Sequence, residues 1–236
     1  MQSGLTFEAV THNGSITING ADVADCNLTA TITAYALTEE DAKQLAEEVK
    51  ITLEPSDSTL TVKIEKPDNR TNCSVSVSLD VIVPNQTSPM LTTHNGAIKI
   101  ANITGNIDST THNGKITAEK ICGSTKLETH NGSVVCEEFS GETHLKTHNG
   151  SVKLCYSKTA PAACNVSAVT HNGGIDFTAG PNLSAEIDVS THNGSIKTEL
   201  PIKVVGEVSK NNLTGTIGTG EGKLHLETHN GSIQIK

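Results

Sequence analysis

The chain has 236 residues, five aromatic side chains (Phe7, Tyr35, Phe139, Tyr156, Phe177) and no tryptophan. A globular core of this size would use more large side chains, whereas thin layers of Ile, Val and Leu stacked along an axis need fewer. A net charge of −9 without a basic cluster excludes nucleic acid and anionic membrane surfaces as partners, and no stretch approaches the roughly 18–20 apolar residues of a membrane span.

In chain order, the first landmark is Thr11-His-Asn-Gly14, followed by the alternating run Ser15-Ile-Thr-Ile. A stretch of different character separates it from the next copy at Thr93. Asn27 to Ala36 alternates as a strand, and Thr38 with Asp41 three residues on reads as a helix cap. Ala42, Leu45, Ala46 and Val49 keep helical spacing, so the one helix is predicted over 39–50, and strands are predicted at 59–65 and 74–83. Residues 1–90 are thus expected to hold a first rung and a small α+β cap, and 91–236 a repeat array.

The array rests on Thr-His-Asn-Gly, which starts at Thr11, Thr93, Thr111, Thr129, Thr147, Thr170, Thr191 and Thr228, with the four copies from Thr93 to Thr147 spaced by 18 residues. Asn-Gly predicts a type I′ turn with left-handed backbone at both positions. Alternating apolar residues follow, such as Ile98 and Ile100, then a second glycine nine residues after the first (Gly105, Gly123, Gly141) marks another corner, and a return strand runs through Ile107, Leu127 or Leu145. The fold class is therefore all-β, a parallel β-solenoid of about nine 18-residue rungs, right-handed by the crossover rule. The ninth rung is placed at Lys210-Asn-Asn-Leu213, inside the long gap before Thr228. The chain stops in mid-rung after Gly231, which is expected to leave an open strand edge.

Stacking identical tetrapeptides should give an inner threonine ladder, an asparagine ladder (Asn13, Asn95, Asn113, Asn131, Asn149, Asn172, Asn193, Asn230) and an outer row of histidines (His12, His94, His112, His130, His148, His171, His192, His229). Six cysteines are an even count, and sequence proximity pairs them as Cys26–Cys73, Cys122–Cys136 and Cys155–Cys164. Asn27, Asn69, Asn72, Asn85, Asn102, Asn165, Asn182 and Asn212 head glycosylation sequons. The opening residues have neither the basic nor the apolar region of a signal peptide, so the cysteines and sequons are read as those of a mature exported chain, extracellular or on the cell surface.

The strand around Gly14-Ser-Ile-Thr-Ile, the segment Leu37-Thr-Glu-Glu-Asp-Ala-Lys-Gln-Leu-Ala-Glu-Glu-Val-Lys50, and the runs Leu60-Thr-Val-Lys-Ile-Glu and Val77-Ser-Leu-Asp-Val-Ile-Val-Pro lead into the Asn-Gly repeats. Together they resemble the bacterial "putative adhesin" β-repeat family, a β-solenoid domain of unknown function in surface and envelope proteins. The resemblance implies the solenoid fold and carries over no active site. The histidine of every complete repeat is where this chain departs from it.

No catalytic set stands out from the repeat, and Asp108, Asp176 and Asp188 are read as sharing no rung position, so an enzyme is not expected. The expected function is a non-enzymatic structural or adhesive surface protein that self-associates head-to-tail into a filament through open rung ends. The alternative is a metal- or pH-responsive module. Charging imidazoles about 5 Å apart costs about 1 kcal/mol per pair even in bulk-water dielectric, which favours neutral rings able to take a divalent transition metal, with His112, His130 and His148 as the candidate ligands. No other cofactor is implied, and five scattered aromatics offer few platforms for sugars.

Overall fold

The computed structural model describes residues 4–67, 71–163, 165–204 and 209–236. Its chain winds into a parallel β-solenoid whose rungs each give one strand to a twelve-stranded sheet and one to a ten-stranded sheet. Named by their histidines, the rungs follow the spatial order His12, His94, His112, His130, His148, His171, His229, His192. A typical rung, that of His130, uses Thr125–Asn131 in the larger sheet and Val134–Ser140 in the smaller. Thr129 is level with Thr111 and Thr147, and Val134 with Ile116 and Val152, with a register shift after Glu137 where Phe139 pairs with Tyr156.

The two sheets face each other across a layer of Ile, Val and Leu, including Ile98, Ile116, Leu127, Val134, Leu145 and Val152, all fully or almost fully buried. Three of the five aromatics, Phe7, Phe139 and Phe177, fill this layer. Tyr156 packs edge-on against Phe139 at 5.2 Å and sends its hydroxyl to the carbonyls of Pro161 and Ala163, which holds down the insertion between the His148 and His171 rungs.

The corner after each histidine differs from the predicted type I′ turn. No repeat asparagine has a positive φ, and among the repeat glycines only Gly14 does, at 135°. Glycine is required there for another reason: a Cβ on Gly114, Gly132 or Gly150 would stand 1.9–2.0 Å from the carbonyl oxygen of the corresponding glycine one rung below. Backbones meet at this corner with no room for a methyl group. The second corner repeats the arrangement more loosely, with Gly123 and Gly141 at φ 151° and 119°. Just before it, Asn102, Lys120 and Glu138 stack in the left-handed region, a bulge that turns two successive residues outward before Ile103, Ile121 and Phe139 return to the core.

Both ends of the array depart from the predicted arrangement. Lys210–Leu213 forms no ninth parallel rung, because Asn212–Ile217 runs antiparallel on Ala185–Asn193 and carries the short strand Lys203–Val204 in turn. The strands Gly222–Asn230 and Ile233–Ile235 are threaded between the His171 and His192 rungs, so the last rung in sequence is flanked on both faces rather than open. The extra parallel layer lies at the other end, where Thr59–Glu65 and Ser74–Pro84 pair below the His12 rung. Antiparallel strands Lys50–Pro55 and Asn27–Tyr35 close that end. The helix spans Glu39–Glu47, lies against Asn27–Tyr35, and starts where the Thr38 hydroxyl accepts the Asp41 N–H at 3.1 Å.

None of the five described cysteines is disulfide-bonded. Cys26 and Cys73 flank opposite ends of one antiparallel pair, about 33 Å apart by strand rise. Cys136 points into the core level with Ala118, whereas exposed Cys122 lies level with Ser140 at the far end of the strand. Both separations exceed the roughly 7 Å reach of a disulfide. Cys155 is free, and Cys164, its expected partner, lies outside the described residues.

Gly132→Ala is expected to destabilise the fold by about 3 kcal/mol, since backbone must move to admit the Cβ. Ser109→Ala should instead stabilise it by about 1 kcal/mol, because the Ser109 hydroxyl is buried in the core without a partner among the described residues. Urea unfolding of the two variants against the parent chain measures both effects.

Candidate functional site

Each Thr-His-Asn-Gly unit splits its side chains between three environments. The threonine turns inward and, above the first rung, its hydroxyl donates to the glycine carbonyl of the rung below, at 3.0 Å for Thr129 to Gly114 and 2.8 Å for Thr147 to Gly132, whereas Thr11 donates to its own Gly14. The asparagine stands at the corner, and every Nδ2 donates to the Oδ1 one rung below at 2.7–2.8 Å, from Asn193 through Asn230, Asn172, Asn149, Asn131, Asn113 and Asn95 to Asn13. All seven links run in one sense, so the amide dipoles add along the stack.

The histidines project outward between these rows. Eight imidazoles form one unbroken stack with centroids 4.6–4.9 Å apart, and the planes from His94 to His148 lie within 3° of parallel. Because the faces cover one another, only the ring edges meet solvent. His12 Nδ1 lies 3.1 Å from Asn13 Oδ1, and no other ladder ring has a hydrogen bond among the described residues. The two remaining histidines behave differently: His144 contacts Glu142 at 3.0 Å, and His225 contacts Asp188 at 3.2 Å and Glu227 at 3.5 Å.

Beside the ladder runs a groove of about 880 Å³. One wall is the imidazole row from His12 to His148, the other is the row of residues preceding each threonine, with Val10, Thr92 and Thr110 towards one end and Glu128 and Lys146 towards the other. Where pairing between Thr6–Asn13 and Thr59–Glu65 stops at Ala9 and Val62, Ile64 and Lys66 close the groove. Lys66 Nζ is shielded from water, has no hydrogen-bond partner among the described residues, and its ammonium is pushed below the usual lysine range by burial. Neither the groove nor Lys66 was marked in the sequence, where Lys66 is one lysine among many in a segment outside the repeat.

The ladder does not fit a chelated metal. Two imidazole nitrogens on one zinc ion lie at most about 4.2 Å apart. The rings of His112, His130 and His148 are 4.8 Å apart and parallel, so their lone pairs run side by side rather than converge. Among the described residues no three His, Cys, Asp or Glu side chains gather into a metal-sized cluster.

The carboxylates reading also changes in one respect. Asp108 and Asp188 do share a row, three residues before their threonines, but five rungs separate them, about 24 Å, which is too far for paired acid–base work. Of the sequon asparagines, Asn27, Asn72, Asn102, Asn165, Asn182 and Asn212 are exposed, Asn85 is half-buried, and Asn69 lies outside the described residues. Asn102 and Asn165 use their side chains in hydrogen bonds to Asn19 and the Lys223 N–H. No helix among the described residues is long and apolar enough to cross a membrane.

Burial pushes the Cys136 thiol up to about 12, with Glu137 and Cys155 adding to it. The reactive thiolate is thus nearly absent at neutral pH. Iodoacetamide at pH 8 is expected to label Cys122 quickly and to spare Cys136 until the chain is unfolded, as read by peptide mass spectrometry.

The chain belongs to the Toastrack DUF4097 family, whose model matches residues 5–236. A crystal structure described as that of a "putative cell adhesion protein" from Clostridium sporogenes is similar at 12% identity and a TM-score of 0.44, over 99% of this chain and 93% of the other. No curated protein matches the chain.

Proposed function

We propose that this Toastrack chain is a non-catalytic adhesive element, exported and displayed at the cell surface, that uses the outer face of its larger sheet as the contact surface. The observation that carries the reading is the unbroken row of eight imidazole edges beside an open groove. Ring stacking and the backbone ladders fix these side chains before any ligand arrives, so little ordering entropy is lost on contact. Identical groups repeated every rung favour a surface that offers many weak contacts at once. No nucleophile–base pair or close carboxylate pair faces the groove, which supports binding rather than turnover.

Beads coated with the protein are expected to stay on bacterial or host cell layers under shear, and beads carrying a His94→Ser, His112→Ser, His130→Ser variant to wash off. Equal retention of both would remove the ladder face from the adhesive role.

Head-to-tail polymerisation is the weaker reading. The route foreseen for it, through a free C-terminal rung, is closed because that rung lies between two others. The outermost strands are the two-residue Lys203–Val204, the three-residue Ile196–Thr198, the Pro55-ended Lys50–Pro55, and Asn27–Tyr35 with the helix beside it, all of them features that blunt edge pairing. Light scattering behind size exclusion is expected to give the 24.7 kDa mass of one chain across a concentration series. Growth of the mass with concentration would restore the filament.

A further inference from the structure

We propose that the groove beside the histidine ladder binds a linear acidic polysaccharide, one sugar unit per rung, with an acidic group held at the Lys66 end and binding strengthened as the imidazoles take up protons. This deepens the adhesive reading by naming its ligand class, and rests on that reading only for its biological setting.

The argument begins with an unpaired charge. Lys66 Nζ has lost its water and gained no partner among the described residues, in a groove that Ile64, Val10 and Thr92 also line. A buried cation without a counter-ion is costly unless a ligand supplies one. Lys66 as a whole is only half-buried at the groove wall, and a turn of its flexible side chain brings the ammonium to a carboxylate or sulfate lying beside Ile64.

The remainder of the groove selects the body of the ligand. Ring faces along the ladder are occupied by neighbouring rings, so bases or aromatic groups find nothing to stack on, and a single-stranded nucleic acid would lack its usual platforms. An extended peptide turns every second side chain to the same side, at roughly 6.6–6.8 Å, which falls out of step with rings 4.8 Å apart. It would also need an open strand edge, whereas the groove lies on the face of a sheet. A chain of six-membered sugar rings advances by about one ring and one bridging oxygen per unit, close to one rung. Without the aromatic platforms that many sugar sites use, its hold rests on charge and on its hydroxyls, which meet an imidazole edge on one side and the hydroxyls of Thr92 and Thr110 on the other.

Charge completes the match. Imidazole changes charge between about pH 5 and 8. Facing the ladder across the groove are Glu128 and Lys146, with Glu227 farther along the same row, Lys115 beyond the corner and Glu65 beside Lys66. Glu128 lies 3.6 Å from Lys126 on its own strand, and Glu227 lies 3.5 Å from His225, a contact that becomes an ion pair when that imidazole is protonated. Protonation therefore adds a line of positive charge that these carboxylates do not cancel. The rings repel one another once charged, and an acidic polymer laid along them relieves that repulsion. In a chain of net charge −9, the attraction of this face for a polyanion is thus weak near neutral pH and strongest in mildly acidic conditions.

The test is titration calorimetry of the full chain with a polygalacturonate decamer at pH 5.5 and 7.5, beside a neutral cello-oligosaccharide of similar length and poly-glutamate. Binding of polygalacturonate at least tenfold tighter at pH 5.5 is expected, with neither comparison polymer reaching it. Lys66→Gln should weaken binding at both pH values. The His94→Gln, His112→Gln, His130→Gln variant should lose the pH dependence while keeping its fold by circular dichroism, since glutamine also forms stacked ladders. Affinity independent of pH, equal binding of the neutral oligosaccharide, or equal binding of poly-glutamate would each overturn the proposal. Tight, pH-dependent binding in solution with no retention of coated beads would leave the groove assignment standing and remove the adhesive reading.

Discussion

The contact on which the molecule depends is the approach of backbone to backbone at the first corner. Glycine carbonyls there sit where the Cβ of the glycine above would be, so only glycine lets the corner close at the spacing that strand pairing sets for every ladder. Threonine hydroxyls reach the carbonyl below only because the rungs are this close, and asparagine amides link at 2.7–2.8 Å for the same reason. The histidines have no independent reason to stack at 4.8 Å; they are carried there by strand pairing. A surface feature with functional meaning is thus set by a steric rule in the backbone.

The sequence made the period legible because identical residues recur at a fixed interval and the alternation from Leu127 through Thr129 to His130 decides inside from outside. The inner threonines, the asparagine ladder and the outer histidine row all stand where that alternation places them. The helix cap at Thr38 and the strand Thr59–Glu65 were equally readable from local signals. The turn type was misread because Asn-Gly carries the same dipeptide signal in a two-residue hairpin and in a solenoid corner; what distinguishes them is a neighbour one rung away, which local propensity does not include. The left-handed bulge at Asn102, Lys120 and Glu138 left a trace, the interval from Ile100 to Ile103 being three rather than two, but no turn residue announces it.

Order along the axis was beyond a sequence reading for a different reason. Strand pairing between identical tetrapeptides is almost degenerate, since the Thr228 unit finds the same partners beside Thr170, Thr191 or Thr147. What breaks the tie is the segment between Thr191 and Thr228, whose strand Asn212–Ile217 folds back antiparallel and occupies the outer face of the His192 rung. Cysteine pairing by proximity in sequence failed on the same ground, because a solenoid keeps sequence neighbours at different depths and at opposite ends of its strands. Groove and lysine escaped notice because both arise where a strand outside the repeat peels away from the array.

The insertion of the final rung between two earlier ones also sets an order of assembly. A simple solenoid can grow layer by layer as the chain is made, each turn seating on the last. Here the parallel neighbour of the His192 layer is Gly222–Ile235, made later in the chain, and that rung stands between it and the His171 layer. The array can grow in sequence order only through His171. Beyond it the last two layers close together as a single unit, like a clasp whose tongue enters before the catch, and the ladder of eight rings becomes continuous only in that final step.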